Sequence, residues 1–192
     1  IWPGSLLMAD YLCDNPLLCE QLKIIELGAG AALPSLVALS LGAGKVVITD
    51  YPASTILENI DNQLRSHGID DSLTMVRGLE WGSPVEFSDD KYDLVLVAEP
   101  LWKDTYKLHK ALLETINSCV LNNPSLCILL SFAHRPTDDH LPCHDMEFLE
   151  LAESVYHLEY ELLLSKYLPE VCGEESLIQV HLYKLHCVDN IK

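Results

Sequence analysis

The sequence predicts a single doubly wound α/β domain with a mostly parallel sheet and an antiparallel pair of strands at its end. Short, nearly continuous apolar runs alternate with segments of helical periodicity, and short connections join them. The last third departs from this alternation and contains two long strand-like segments. A chain of 192 residues with 49% hydrophobic residues can bury one sizeable core. We therefore expect residues 1–192 to form one domain.

The apolar runs are typical of parallel strands, because a strand covered on both faces is apolar along most of its length. Five such strands are predicted, over residues 23–27, 45–50, 73–78, 92–99 and 127–133. Helical spacing occurs over 33–42, 53–67 and 104–121, with glycines at 42, 44 and 68 as stop signals. A leading helix is predicted over 3–19, within a leading segment 1–20.

The C-terminal part predicts a different connection. A helix-like segment at 144–154 precedes two strand-like segments, 156–167 and 176–186. The residues between the two strands, 168–175, are too few for a helical crossover, so the strands should pair antiparallel. The predicted sheet then has seven strands, which argues against a symmetric dinucleotide-binding fold.

The net charge indicates the kind of partner that the protein binds, and the cysteines indicate its cellular compartment. The net charge of −17 argues against nucleic acid, which needs clustered Lys and Arg, and favours a cationic partner or simply high solubility. No basic and apolar leader or membrane span is visible, but the chain begins at Ile1, so an upstream segment is expected. Seven scattered cysteines without ligand spacing predict reduced, buried thiols in a cytoplasmic protein, with no metal site.

A glycine turn follows the first predicted strand and indicates a ligand site. Gly28 and Gly30 fit the start of a dinucleotide fingerprint, but Leu33 stands where its third small residue belongs. The phosphate loop ending Gly-Lys-Ser/Thr is also absent from the sequence. Asp50, at the end of the next strand, is spaced to accept hydrogen bonds from both ribose hydroxyls. Glu26 could meet an ammonium directly or through water, and a ligand with a ribose, an ammonium and no phosphate fits S-adenosyl-L-methionine.

Five stretches in a fixed order carry a family resemblance: "IWPGSLLMADYL", "IIELGAGAALPSLVAL", "VVITDYP", "LEWG" and "AEPLW". Together they resemble the seven-strand family 16 protein methyltransferases, in particular the fungal elongation factor 1-alpha N-terminal and lysine methyltransferases. The resemblance covers residues 1 to about 135, and beyond that only the strand pattern matches. It implies a Rossmann-like class I methyltransferase fold and cofactor contacts from Trp2, Glu26, Gly28, Gly30, Asp50, Trp81 and Ala98.

These residues also have physical interpretations. Tyr51 would flank the sugar or base, and Trp81 offers a stacking face for the adenine. Glu80 could accept a hydrogen bond from the adenine amino group, and Trp2 could close over the methionine end. Simpler alternatives stay open: Trp81 as core, Trp2 as a cap of the first helix, and Asp50 as a turn residue.

The predicted reaction centre is Glu99-Pro100-Leu101-Trp102, at the end of the fourth strand, where open α/β sheets bind ligands. Many family members have Asp-x-x-Tyr here, so Trp102 lacks a phenolic hydroxyl. Methyl transfer needs a neutral amine aimed at the methyl group, which is mainly a positioning task. Glu99 would bind the incoming ammonium, and Trp102 would stabilise a cationic nitrogen by about 0.5–2 kcal/mol. The alternative for Glu99 is a surface acid.

Three functions are compatible with this pattern. The first is a monomeric protein N-methyltransferase acting on a lysine, an N-terminal amine or both, with elongation factor 1-alpha as the acceptor that the resemblance implies. The second is an N-methyltransferase of a small molecule such as a pyridine-type amine. The third is a catalytically silent binding module of the same fold. Phe132 and His134, after the fifth strand, are further candidates for the acceptor pocket.

Overall fold

Seven strands form one sheet in the part of the chain that the computed structural model describes, residues 1–83, 85, 91–102, 105–135, 144–170 and 175–187. The strands are β1 (Lys23–Leu27), β2 (Lys45–Asp50), β3 (Thr74–Gly78), β4 (Leu94–Ala98), β5 (Cys127–Ala133), β6 (Leu158–Pro169) and β7 (Leu177–Cys187). Their order in the sheet is β3-β2-β1-β4-β5-β7-β6. The predicted seven-stranded fold class is confirmed.

The first five strands are parallel, so their carboxyl ends lie along one edge of the sheet. At that edge Leu27 of β1 is in register with Thr49 of β2, and Ala98 of β4 is in register with Ser131 of β5. The chain order reverses between β1 and β4, which are neighbours in space. This switch point leaves a crevice above the carboxyl ends of the two strands, where ligands bind in such sheets.

The C-terminal strands form the predicted antiparallel hairpin. β6 pairs with β7 along nearly its whole length, and β7 pairs antiparallel with β5. The register of β6 shifts between Leu162 and Leu164, which marks a bulge in that strand. The hairpin therefore extends the sheet on its β5 side.

Five helices cover the two faces of the sheet within the described residues. They are α1 (Pro3–Asp14), α2 (Leu33–Ser40), α3 (Ser54–Ser66), α4 (His109–Asn122) and α5 (His144–Tyr156). One apolar cluster packs α1, α2 and α3 on the sheet, and a second cluster packs α4 and α5 on the opposite face. This two-sided cover explains why β4 is buried at every position.

Two predicted helices have different bounds in the structure. The leading helix ends at Asp14 instead of residue 19, because Pro16 cannot donate a backbone hydrogen bond and disfavours helical backbone at Asn15. A short 3-10 turn, Pro16–Leu18, follows it. The helix predicted from residue 104 begins at His109, after a 3-10 turn over Tyr106–Leu108.

The cysteines of the described residues are all free thiols. Cys19 and Cys119 are buried, and burial raises the pKa of each thiol to about 11. Cys13 is exposed, so the prediction that the cysteines are buried is wrong at that position. Cys143 and Cys172 lie outside the described residues.

None of the helices in the described part of the chain is long and apolar enough to cross a membrane.

The α5 face of the core provides a test of the packing. Phe148 is completely buried, with its ring edge-on to His109 at a centroid distance of 5.4 Å. We expect Phe148→Ala to lower the free energy of unfolding by about 3–5 kcal/mol, because it removes buried apolar contacts and leaves a cavity. The control is Leu121→Ala on α4, whose side chain is 75% exposed. Both variants are measured by urea denaturation. Equal losses in the free energy of unfolding would contradict the packing of Phe148.

Candidate functional site

The glycine turn after β1 brings bare backbone to the carboxyl edge of the sheet. Gly28 and Gly30 have positive φ angles of 72° and 54°, which side-chain-bearing residues rarely adopt. The backbone nitrogens of Gly28 and Ala29 donate hydrogen bonds to the Thr49 carbonyl at 2.9 and 3.0 Å. This turn is therefore fixed to the end of β2, and a Cβ placed on Gly30 would meet none of the described atoms within 4 Å.

Two cavities open on either side of this turn, and Gly28 lines both of them. The first has a volume of about 240 Å³, and its described lining includes Trp2, Ser5, Gly28, Gly30, Ala98 and Glu99. The second has a volume of about 320 Å³, and its described lining includes Gly28, Asp50, Tyr51, Glu80, Trp81 and Thr105. The two cavities thus bring together eight of the nine residues that the sequence predicts to contact the cofactor, and Glu99 of the predicted reaction centre.

Asp50 connects the glycine turn to the second cavity. Its Oδ2 accepts a hydrogen bond from the Gly30 backbone nitrogen at 2.7 Å, and its Oδ1 accepts one from the Tyr51 backbone nitrogen at 2.7 Å. A carboxylate has about four acceptor positions, so each oxygen can accept a further hydrogen bond. Asp50 is both a turn residue and a carboxylate at a cavity wall, which unites the two interpretations of this position.

The other wall of the second cavity is aromatic. One ring carbon of Trp81 would lie only 3.0 Å from a Cβ placed on Gly28. The same indole packs on the α4 and α5 side of the core. Trp81 therefore belongs to the core and also presents a surface to the cavity, next to exposed Glu80 and to Tyr51, which is 58% exposed.

Glu26 does not reach the wall of either cavity. Its side chain is completely buried, and Oε2 accepts hydrogen bonds from the backbone and hydroxyl groups of Ser35 at the start of α2. Oε1 has no hydrogen-bond partner. Burial raises the pKa of the Glu26 carboxyl to about 8, the Ser35 hydrogen bonds oppose the rise, and the Asp50 charge adds to it. The expected direct contact with an ammonium is therefore not available in this conformation.

Trp2 stands at the mouth of the first cavity. It is the N-cap residue of α1, and its carbonyl accepts the hydrogen bond from the Ser5 backbone nitrogen at 3.1 Å. Its side chain makes no capping hydrogen bond and is 47% exposed. The helix-cap and cavity-wall interpretations of Trp2 thus hold together, since the backbone serves the helix and the indole lines the cavity.

Glu99 is not a surface acid. Its backbone has a φ of 59°, and its side chain is only 4% exposed. Its Oε2 accepts a hydrogen bond from the Gly4 backbone nitrogen at 2.6 Å, while Oε1 accepts from the Ala133 nitrogen at 3.0 Å and from Arg135 at 2.6 Å. The carboxylate predicted to receive an incoming ammonium already has three donors from the chain.

Trp102 also has a cationic partner within the chain. The Arg135 guanidinium carbon lies 4.3 Å from the Trp102 ring centre and 5.8 Å from the Trp2 ring centre. The two indoles are 5.2 Å apart. The Thr105 hydroxyl accepts a hydrogen bond from the Trp102 backbone nitrogen at 2.9 Å, which connects these two residues.

The site predicted from the sequence lacks three residues that the structure places there, Gly4, Thr105 and Arg135. A Cβ on Gly4 would lie 2.6 Å from Glu99 Oε2, so a glycine is needed where α1 meets β4. Arg135 is one of only three arginines in the chain and follows directly on β5 at the carboxyl edge. That combination was the available signal for a site residue.

The two further candidates, Phe132 near the end of β5 and His134 just after it, are not among the described residues that line either cavity. Phe132 is completely buried and stacks on Tyr183 at a centroid distance of 5.5 Å, so the expectation that it lines the acceptor pocket is wrong. His134 Nδ1 lies 2.5 Å from Asp145 Oδ2 at the start of α5. Its ring is therefore engaged on the β7 and α5 side of the sheet.

The seven-stranded sheet with its flanking helices and C-terminal antiparallel hairpin is the fold of class I methyltransferases. Residues 1–155 match the family described as lysine methyltransferase. The chain belongs to this family and is an S-adenosyl-L-methionine-dependent methyltransferase.

Named relatives and solved structures support this assignment. The chain is 29% identical to a protein N-terminal and lysine N-methyltransferase of Schizosaccharomyces pombe, covering 96% of this chain and 76% of the relative. It is 32% identical to the protein of the same name in Debaryomyces hansenii, covering 80% of this chain but only 63% of that relative. A SAM-dependent methyltransferase from Aquifex aeolicus shares the fold at 13% identity, with a TM-score of 0.62 and coverage of 95% and 93%.

Gly28 provides a test of the bare turn. We expect Gly28→Ala to weaken S-adenosyl-L-methionine binding by about tenfold or more, because the new methyl group meets Trp81 between the two cavities. The matched control is Gly42→Ala, which has a φ of 88° and no atom within 4 Å of the new Cβ. Both variants should lose about 1–2 kcal/mol of stability from left-handed backbone. Cofactor affinity is measured by titration calorimetry. Equal affinities for the two variants would contradict a ligand position at Gly28.

The buried Glu26 carboxyl predicts a pH-dependent stability. Because its folded-state pKa is raised from 4.5 to about 8, the folded protein keeps a proton that the unfolded chain releases above pH 4.5. The contribution of the Glu26 carboxyl to the free energy of unfolding is largest below that pH. It falls by about 1.4 kcal/mol per pH unit until about pH 8.

The variant Glu26→Gln isolates this effect, since its side chain stays neutral and its amide oxygen can accept both Ser35 hydrogen bonds. We expect wild-type stability to fall relative to the variant as pH rises from 5 to 8. Urea denaturation at four pH values measures the difference. Parallel pH profiles for the two proteins would show that the carboxyl is not protonated in the folded state.

Proposed function

We propose that this chain transfers the methyl group of S-adenosyl-L-methionine to an amine of a protein, either a lysine side chain or an N-terminal amine. The observation that carries the proposal is the meeting of two cavities at Gly28. One cavity has the carboxylate and aromatic wall that a nucleoside needs. The other reaches the end of β4, where Ala98, Glu99 and the aromatic residues lie.

The residues present fit the cofactor. Asp50 would accept hydrogen bonds from the ribose hydroxyls, and Trp81 would stack on the adenine with Tyr51 and Glu80 beside it. The turn at Gly28 and Gly30 would lie against the methionine part, with Trp2 and Ala98 on the opposite wall. When bound, the cofactor supplies an electrophilic methyl group on a sulfonium.

The residues at the end of β4 position the acceptor. Glu99 holds α1 and β5 together through Gly4 and Ala133, which places the Trp2 indole over the first cavity. The aromatic faces favour a nitrogen carrying positive charge, as the acceptor does once it has received the methyl group. Alignment of a neutral amine with the methyl group supplies much of the lowering of the barrier, and the amine proton leaves to water.

A protein acceptor fits the surface around the cavities better than a small molecule does. Ile1, Trp2, Tyr51, Tyr106 and Leu108 are large apolar side chains with exposures between 43% and 62%. Each of them lines, or lies next to a residue that lines, one of the two cavities. An apolar surface on a chain of net charge −17 suits docking of a basic polypeptide. The names of the Schizosaccharomyces pombe and Debaryomyces hansenii relatives support this choice.

The proposal extends to the acceptor and compartment that the sequence suggested. A translation factor of the elongation factor 1-alpha type, methylated in the cytoplasm by a monomeric enzyme, stays a prediction. The alternatives are a small-molecule amine acceptor and a binding module without activity, and both become outcomes of the same experiment.

Methylation of a lysate tests the proposal. The purified chain is incubated with tritium-labelled S-adenosyl-L-methionine and a hypomethylated lysate, and mass spectrometry identifies the polypeptide and amine that gain 14 Da. We expect wild-type protein to label at least one band. Asp50→Asn should weaken cofactor binding by about 10- to 100-fold, because it removes a charged acceptor of hydrogen bonds. Asp14→Asn, on the exposed end of α1, is the matched control.

The outcomes separate the three functions. Label in a low-molecular-mass fraction, with none in protein, would support the small-molecule acceptor. Cofactor binding with no label in either fraction would support the silent module. Absence of cofactor binding at millimolar concentration would overturn all three.

A further inference from the structure

Arg135 occupies the position expected for the cationic acceptor. Glu99 and Trp102 are the residues that the sequence predicts to bind an incoming amine. In the structure the Arg135 guanidinium holds both: Nη1 donates to Glu99 at 2.6 Å, and the guanidinium carbon lies 4.3 Å from the Trp102 ring centre. The aromatic and acidic wall therefore already binds a cation, and that cation belongs to the chain.

The surroundings of Arg135 favour this arrangement. Its side chain is 17% exposed and that of Glu99 is 4% exposed, so solvent screens their attraction only weakly. A guanidinium stacks on an indole face through both cation–π and planar contacts. Trp2 adds a second face at 5.8 Å from the guanidinium carbon. The wall is thus suited to flat or compact cations.

Two features indicate that the guanidinium can leave. Its Nε and Nη2 atoms are buried and have no hydrogen-bond partner among the residues that the structure describes, which costs free energy for a charged donor. A second carboxylate is also near: Glu170, just after β6, has its Oε1 3.7 Å from Nε and is 37% exposed. Arg135 can therefore move toward Glu170 and keep an ionic partner nearer to solvent.

We propose that Arg135 is a specificity-determining residue of the acceptor site, a built-in competitor that a cationic amine must displace from Trp102 and Glu99. The inference rests on the proposed function, because it concerns the acceptor of that reaction. A lysine or N-terminal ammonium replaces the guanidinium on the same wall, and a neutral side chain has no means to do so. Because every acceptor must displace the guanidinium, Arg135 lowers the affinity of the site for all acceptors and excludes weakly cationic ones.

Tryptophan fluorescence can measure this competition without any methyl transfer. The chain has three tryptophans, Trp2, Trp81 and Trp102. In a Trp81→Phe background the signal comes from the two indoles beside Arg135. The probe is Nα-acetyl-lysine methylamide, and its neutral control is Nα-acetyl-norleucine methylamide, which has a similar apolar length without the ammonium.

We expect Arg135→Met in this background to lower the Kd for the lysine probe by on the order of tenfold, within the range of a desolvated cation–π contact. The norleucine probe should show no such change. Arg77→Met is the matched control, because Arg77 lies exposed on the edge strand β3 and lines neither cavity. It should leave the Kd for the lysine probe unchanged.

A second variant tests the inference even if Arg135→Met does not fold. Arg135→Met leaves the Glu99 carboxylate without its cation, so thermal unfolding is measured first. Arg135→Lys keeps a charge for Glu99 but loses the planar stacking, and it should lower the Kd by about threefold. An unchanged or higher Kd in the folded variants, or no probe binding in any of them, overturns the inference.

Kinetics with the acceptor identified by mass spectrometry provide an independent result. In the otherwise wild-type chain, Arg135→Met should lower KM for that acceptor and leave the Kd for S-adenosyl-L-methionine unchanged. A higher KM would mean that Arg135 contacts the acceptor directly and would overturn the proposal. The wild-type protein could label no acceptor while Arg135→Met still lowers the Kd for the lysine probe. That result would overturn the proposed function but would still support the competition between Arg135 and a cation at this wall.

Discussion

The carboxylate of Glu99 connects the elements on which the site depends. It lies at the end of β4, almost completely buried, and accepts hydrogen bonds from α1, from the end of β5 and from Arg135. A buried carboxylate without partners would cost several kcal/mol, so these donors are a requirement of the fold. They also offset the left-handed backbone at Glu99, which costs about 1–2 kcal/mol. The predicted reaction centre therefore coincides with the junction of three elements.

The cofactor side of the site depends on a different kind of constraint. The turn after β1 must present backbone alone, and its shape is held by Thr49 and Asp50 at the end of β2. Trp81 fills the space next to Gly28 that any larger residue would need. The shape of the turn and the wall of the second cavity thus depend on the same residue, since Asp50 fixes the turn and lines that cavity.

The strand pattern, the hairpin and the position of Asp50 beside the glycine turn could be predicted from the sequence because each rests on local signals. Apolar runs define β1 to β5, and a short connection defines the β6–β7 pair. Glycine and acid spacing brought Gly28, Gly30 and Asp50 together at one edge. The environments of Glu26, Glu99 and Phe132 could not be predicted, because burial and hydrogen-bond partners depend on packing between distant parts of the chain. Arg135 was missed for the same reason: its significance comes from Trp2 and Trp102, both far away in sequence.

The hairpin has a consequence for self-association. β6 is the last strand of the sheet in the described residues, and it is twelve residues long. Such a strand offers free amide and carbonyl groups to other chains and can seed fibrous aggregates. The irregularity near Leu162 breaks the straight line of these groups, and exposed Glu159 and Glu161 repel a second copy of the same strand. The outermost strand thus combines full pairing on its inner side with protection against intermolecular sheet growth on its outer side.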